Sequence, residues 1–280
     1  MRFRRGAELD TSQVSDRRGA GPIAVGGGGI IGLIFLVISV LNGGDGGGAV
    51  PDGSVGNLKS DLSATCQTGE DANQRDDCRI VAVVNSVQAY WEKREPNYQR
   101  ATTVFFTGNT NTGCGSATSA VGPFYCPQDQ KVYIDLGFYE DLRTRFGAKG
   151  GPFAEAYVIA HEYGHHIENL RGVLAKARSR ETGPQSPGVR VELQADCLAG
   201  MWAKGAVDTG FIDELTDADI QDGLNAASAI GDDRIQEQAQ GQVSPESWTH
   251  GSSEQRQKWF LTGYRSPAPF PCDTFAVPTV

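Results

Sequence analysis

The chain has 280 residues, 39% hydrophobic and 21% charged, which suits one globular domain with an appended segment, or two small ones, and excludes a chain too polar to bury a core. Its 25 basic residues against 34 acidic ones give a net charge of -9, opposite in sign to a nucleic-acid footprint, so no nucleic-acid partner is expected. There are 36 glycines, which need locating, and only 4 histidines, three of which cluster at His161, His165 and His166.

The chain opens with Arg2, Arg4, Arg5, Arg17 and Arg18 against Glu8, Asp10 and Asp16, a net of +2; the rest holds 20 basic and 31 acidic residues, a net of -11. Residues 23–41 then carry no charge at all. As a helix they reach roughly 28 Å, close to the thickness of a bilayer core. The run is longer than the apolar region of a signal peptide and no small-x-small cleavage site follows it, so it predicts one uncleaved transmembrane helix. The arginines ahead of it place residues 1–22 as a cytoplasmic tail and the rest outside, in a single-pass protein of the cell membrane. Residues 42–57 are glycine-rich, polar and aperiodic, a flexible tether that takes up part of the glycine excess.

Residues 58–280 read as one extracytoplasmic α+β domain, mostly helical with a small β-sheet. A helix is predicted from about Cys78 to Glu95, with Val81, Val84, Val87, Tyr90 and Trp91 at spacings of three and four and Pro96 as its stop. Strands follow at residues 102–107 and, after a Gly/Asn/Thr loop, at 131–136, where Val132, Ile134 and Leu136 alternate. From Pro152 onward the pattern is helical almost throughout. The 6 cysteines all lie in this region, an even number that fits an oxidising compartment. The short spacings of Cys66 to Cys78 and Cys114 to Cys126 suit local bridges, which leaves Cys197 with Cys272.

Residues 157–167 read Tyr-Val-Ile-Ala-His-Glu-Tyr-Gly-His-His-Ile and contain H-E-x-x-H at His161, Glu162 and His165. On a helix, positions i and i+4 stack on one face, so the two imidazoles converge as ligands of one Zn2+ ion. Glu162, one position round, reaches a water on the metal but not the metal, which is where a general base belongs. The helix is apolar on most of its circumference, so unliganded histidines there would be desolvated without return. His166, at i+5, points elsewhere and is read as an incidental, hydrogen-bonded histidine. A third histidine ligand of the metzincin kind fails, because Glu168 and Arg171 hold the required Gly and His places. In the apolar stretch 190–202, Glu192 and Asp196 share a face at i and i+4. Buried carboxylates need a partner or a metal; Glu192 is assigned to the zinc and Asp196 to a hydrogen bond with a ligand histidine. His250, followed by a helix that Thr249 or Ser252 would cap, is a candidate to steady an oxyanion, and Arg256 is a candidate for that task or for pairing with Asp196.

The runs GPFYCPQDQKVYIDLGFYEDL, FGAKGGPFAEAYVIAHEYGHHIENL, ELQADCLAGMWA, AIGDDRIQ and THGSSEQRQKWFLTG resemble the bacterial neutral zinc metallopeptidase family of membrane-anchored proteins. The pattern of HExxH with a downstream E-x-x-x-D and T-H-x-x-x-x-x-R is similar to gluzincin proteases of the prenyl-protein-processing and heat-shock type. That resemblance implies a zincin-like fold, Glu192 as third ligand, a role for His250, and residues 131–136 as an edge strand against which a peptide aligns.

The reading that follows is a membrane-anchored zinc metalloendopeptidase acting on a protein or peptide. Its rival is a non-proteolytic, zinc-containing binding module of the cell envelope, which the presence of Glu162 disfavours, because a structural zinc site needs no base. A zinc hydrolase of non-peptide amides would use the same ligands. Substrate identity and oligomeric state have no signature in the sequence.

Overall fold

The computed structural model describes residues 1–19 and 62–280. Its helices are α1 (Leu62–Thr65), α2 (Gly69–Gln74), α3 (Asp76–Glu92), α4 (Phe138–Thr144), α5 (Pro152–Leu170), α6 (Pro187–Gly205), α7 (Asp217–Ala229), α8 (Asp232–Gln240) and α9 (Ser253–Arg265). The strands are β1 (Arg2–Phe3), β2 (Val14–Asp16), β3 (Thr102–Phe106), β4 (Asn109–Thr112), β5 (Gly115–Thr118), β6 (Phe124–Cys126), β7 (Lys131–Asp135) and β8 (Ile212–Glu214). The domain is α+β, with a helical core and a four-stranded sheet in the order β2-β3-β7-β6. The helix expected at residues 78–95 is α3, shifted to begin at Asp76 and end at Glu92. The loop expected after β3 contains the β4–β5 hairpin, a strand pair of Asn, Thr, Gly, Ser and one Ala with no apolar alternation to announce it.

The core is built where α5, α6 and α9 cross. Each helix starts on local chemistry. Pro152 and Pro187 occupy first-turn positions of α5 and α6, where a missing N–H costs nothing. Ser186 caps α6 by accepting from the Val189 amide, and Ser252 with Gln255 forms a capping box on α9. Phe153, Trp202 and Phe260 are buried between these helices, and Trp91 adds to the same core from α3. Each such side chain contributes about 1.5–3 kcal/mol of burial.

The crossings are closer than side chains allow. A Cβ on Gly164 would sit 2.9 Å from the Ala195 Cα and carbonyl oxygen, and one on Gly200 would meet the Phe260 carbonyl oxygen at 2.0 Å. Glycine at these points lets α6 lie against α5 on one side and α9 on the other, which sets how far side chains on α6 reach.

The tail expected to lie apart as residues 1–22 requires a correction over residues 1–19. β1 pairs antiparallel with β8, with Phe3 opposite Ile212, and β2 pairs in parallel with β3, with Val14 opposite Thr103. The Asn73 side chain bonds the Phe3 backbone, the Asn85 side chain bonds that of Asp10, and the Met1 amine pairs with Asp219. Strands pair at about 4.8 Å, whereas a bilayer core is about 30 Å thick. A tail in this register is therefore on the domain's own side. The apolar stretch 23–41 and the tether 42–57 lie outside the described residues. Among the described residues, no helix is long and apolar enough to cross a membrane.

A second correction concerns the strand at the sheet's edge. Residues 131–135 form β7, which has β3 on one side along its whole length and β6 on the other beside Lys131–Tyr133, so it is an interior strand of which only Ile134 and Asp135 have no strand on the β6 side. The edge strand is β6, held antiparallel to β7 with Tyr125 opposite Val132. The three disulfides are Cys66–Cys78, Cys114–Cys126 and Cys197–Cys272, the pairing read from the spacings, and no free cysteine is present among the described residues. Gly164→Ala should destabilise the domain by about 1–3 kcal/mol through overpacking at the α5–α6 crossing. Denaturant midpoints would show it, and an unchanged midpoint would mean the crossing yields without cost.

Candidate metal centre

His161 and His165 project from one face of α5, their rings 4.7 Å apart and nearly perpendicular. Glu192 faces them from α6. Its Oε2 lies 3.2 Å from His161 Nε2 and its Oε1 lies 3.6 Å from His165 Nε2. One ligand atom from each of the three residues falls within 4.8 Å of the others, and all three residues are buried. Two imidazole nitrogens and a carboxylate oxygen are a donor set that zinc accepts, with a fourth position left for a non-protein ligand. A second grouping, Cys66, Asp77 and Cys78, offers no such donors, because its cysteines are joined to each other.

The remote nitrogens of both imidazoles are held by carboxylates. His161 Nδ1 is 2.8 Å from Asp196 Oδ1, and His165 Nδ1 is 2.7 Å from Glu168 Oε2. Such bonds fix the orientation of each ring, so that Nε2 is the nitrogen turned toward Glu192 and free to serve as a metal donor once deprotonated. Asp196 is also bound by Arg256 through Nε at 2.9 Å and Nη2 at 3.1 Å, and by the Tyr157 hydroxyl. Arg256 Nη2 donates in turn to Tyr157. The guanidinium therefore spends its donors on a buried carboxylate, which answers one of its two expected uses.

His250 stands across the cleft, in the segment between α8 and α9. Asp232, 2% exposed, accepts from the backbone amides of Thr249 at 2.7 Å, His250 at 2.6 Å and Gly251 at 3.0 Å. Its other oxygen lies 3.3 Å from His250 Nδ1. Burial alone would raise the Asp232 carboxyl, but the His250 side chain and these amides outweigh it and hold it below the usual carboxylate range. Burial likewise disfavours charge on His250, and Glu192 and Asp232 reverse this so that its pKa is raised.

These residues line one cleft of about 130 Å³, with Glu162, His161, His165, Glu192 and His250 in its wall. Its apolar wall includes Phe138, Val158 and Ile230. The strand of chain leading into β6, from Val121 to Phe124, forms the opposite lip. Glu162 is buried and its carboxyl is pushed up, first by that burial. Burial also pushes the Glu168 carboxyl up to about 7 against the pull of His165.

Four carboxylates, Glu162, Glu168, Glu192 and Asp196, are thus buried around neutral-capable imidazoles with one guanidinium, Arg256, among them. An uncompensated buried charge costs several kcal/mol, so this arrangement calls either for protons on the imidazoles, whose pKa values, burial notwithstanding, are raised by Asp196, Glu192 and Glu168, or for a cation where the three donors converge. The sequence reading brought together His161, Glu162, His165, Glu192, Asp196, Arg256 and His250 in one region, and the structure places all seven there. It did not single out Glu168, Tyr157 or Asp232. Glu168 carried a signal, a carboxylate i+3 from a histidine on an apolar helix; Asp232 and Tyr157 are joined to their partners only by the fold. His166 is buried and bonded to Tyr125 and Gln99, away from the donor cluster.

The fold and site define an α+β protein with a candidate metal site of two histidines and a glutamate. The chain belongs to the family described as "Putative neutral zinc metallopeptidase", whose model matches residues 1–275, tail included. It is 54% identical over 223 residues to Rv2575 of Mycobacterium tuberculosis (strain H37Rv), covering 77% of this chain and 76% of the relative. It is 40% identical over 282 residues to YpfJ of Escherichia coli (strain K12), covering 95% of this chain and 96% of the relative. Both relatives carry names that assign no activity. No solved structure matches the chain.

Glu168→Gln should leave the fold intact and weaken zinc binding by about 10–100-fold, as loss of a ligand-orienting carboxylate does elsewhere. Competition against a zinc chelator measures it, and an unaltered affinity would show that Glu168 does not orient His165.

Proposed function

We propose that the protein is a zinc-dependent endopeptidase of zincin-like architecture, in which His161, His165 and Glu192 hold one Zn2+ ion. The observation that carries this reading is the placement of Glu162 in the cleft wall beside three converging donors while it takes no part in their cluster. A purely structural zinc is normally enclosed by four protein ligands, and three are found here among the described residues. The metal's chemistry, once bound, is that of a Lewis acid that polarises a carbonyl and acidifies water.

The chain's own groups divide the remaining work. Glu162, its proton affinity raised by burial, takes a proton from the attacking water and returns it to the departing amine. His250 has its Nδ1 turned to Asp232 and Thr249, and as the imidazolium that Asp232 favours it donates its other N–H to an oxyanion across the cleft. Arg256 acts at one remove, holding Asp196 and through it the ring of His161. The apolar wall of Phe138, Val158 and Ile230 suits a non-polar side chain of the substrate and keeps bulk water from the reacting bond.

Glu162→Gln should keep its zinc stoichiometry and lose peptidase activity by about 10²–10⁴-fold, while His161→Ala should lose the zinc itself. Metal analysis alongside cleavage of an unfolded protein such as casein separates the two. If wild-type protein with one equivalent of zinc cleaves nothing that Glu162→Gln leaves intact, the peptidase reading fails.

Membrane attachment through residues 23–41 enters the proposal in altered form. Gly19 and Leu62 belong to one folded body, so an apolar stretch between them would approach a bilayer from, and return to, a single side. Full-length protein should sediment with membranes and a chain lacking residues 23–41 should not. Equal partitioning of the two would remove membrane attachment from the reading.

A further inference from the structure

The segment Val121–Phe124 that lines the cleft runs straight into the short edge strand β6, and something must set its distance from His161 and His165. Along β6 the side chains alternate. Phe124 stacks on Tyr133 at 5.1 Å on one face of the sheet, in the cluster that also holds Cys126. Tyr125 turns the other way, toward α5, and is 5% exposed.

Its hydroxyl meets two groups of α5. Asn169 Nδ2 donates to it at 3.0 Å, and it lies 2.9 Å from His166 Nδ1. The second ring nitrogen of His166 is 2.6 Å from the Gln99 carbonyl oxygen. A carbonyl can only accept, so Nε2 carries the hydrogen and Nδ1 is the acceptor for the Tyr125 hydroxyl. Every polar atom in this chain is therefore satisfied with one arrangement of hydrogens. The imidazole is fully buried, with the rings of Tyr125, Tyr98 and Tyr163 at 5.4, 5.6 and 6.4 Å. None of its atoms has room to move without breaking a buried bond.

We infer that Tyr125 and His166 form a strut that fixes the edge strand β6 at a set height above the metal-binding turn of α5, and so hold an extended peptide in register with the scissile position. His166 is the residue after His165 on the same helical turn, so any displacement of the strand relative to α5 is a displacement relative to the metal donors. Both are positioning residues; neither lines the cleft. The inference rests on the peptidase reading for its substrate and on geometry alone for the strut. The substrate it implies is a chain in extended conformation, long enough to pair with β6 beyond the bond being cut.

The test uses full-length zinc-loaded protein and Tyr125→Phe, which removes the hydroxyl and keeps the ring. Hydrogen–deuterium exchange should become about three- to tenfold faster over residues 121–126, with exchange in α5 and zinc content unchanged. On an unstructured decapeptide, KM should rise by a similar factor with kcat within about twofold, while a blocked dipeptide amide should be cut as by wild type. Unchanged exchange at residues 121–126 would overturn the strut whatever the activity, and an equal loss on long and short substrates would overturn its role in peptide register. Wild-type protein inactive on both would instead sink the peptidase reading and the substrate half of this inference with it, and the exchange result would still decide the strut. His166→Gln, which retains a donor and an acceptor, should give a partial effect of the same kind.

Discussion

The contact of helix backbones at Gly164 and Gly200 is the constraint on which the site depends. With α6 lying against α5 closely enough for Gly164 to meet the Ala195 backbone, a carboxylate on α6 reaches the two imidazoles of α5 across a single side-chain length. With α9 lying equally close on the far side of α6, Arg256 reaches Asp196 from behind. A Cβ at either glycine would spread the helices, and the donor atoms of Glu192 would withdraw from His161 and His165 together. Helix packing at ordinary interaxial distances of 8–10 Å leaves room for side chains between axes. Here the glycines give up that room in return for a polar cluster inside an apolar core.

That cluster is electrostatically one-sided. Arg256 pairs with Asp196, and the pair braces His161; Glu168 braces His165; Glu192 faces both rings; Glu162 stands in the cleft. A core that buries four carboxylates against one guanidinium is stable only with added positive charge or with protons taken up, and the upward shifts of His161, His165, Glu162 and Glu168 are the second response. A divalent cation at the convergence of the donors is the first.

The legible parts of this protein were those with local period. HExxH is an i, i+4 relation within one helix, and Glu192 with Asp196 repeats it on a second, so both carboxylates and both imidazoles could be placed on faces without knowing how the helices cross. The cysteine pairs followed from separations of 12 residues. What the sequence hid was non-local pairing. The arginines of the tail are as consistent with a membrane-facing charge rule as with ion pairs such as Arg2 to Asp213 and Arg18 to Asp77, and only the fold decides between them. Strand order is hidden for the same reason: residues 131–135 are the stronger β pattern because they are interior and buried, whereas the true edge strand is three residues long and shows no alternation to read.

The weakness of that edge is itself informative. Open sheet edges invite uncontrolled pairing, and proteins blunt them with short strands, charge and proline. At the far edge β2 is three residues long and runs directly into Arg17 and Arg18. At the near edge β6 is bracketed by Pro123 and Pro127, neither of which has an N–H to offer, so an incoming chain finds a window of three residues beside the cleft and nothing beyond it. The Cys114–Cys126 disulfide ties the end of that window to the β4–β5 hairpin, and the Tyr125–His166 bond ties its middle to α5. An edge so short would have little reason to be held from both sides if it only closed the sheet. Held as it is, it keeps a brief line of backbone in a fixed place at the rim of the cleft that Glu162 also lines.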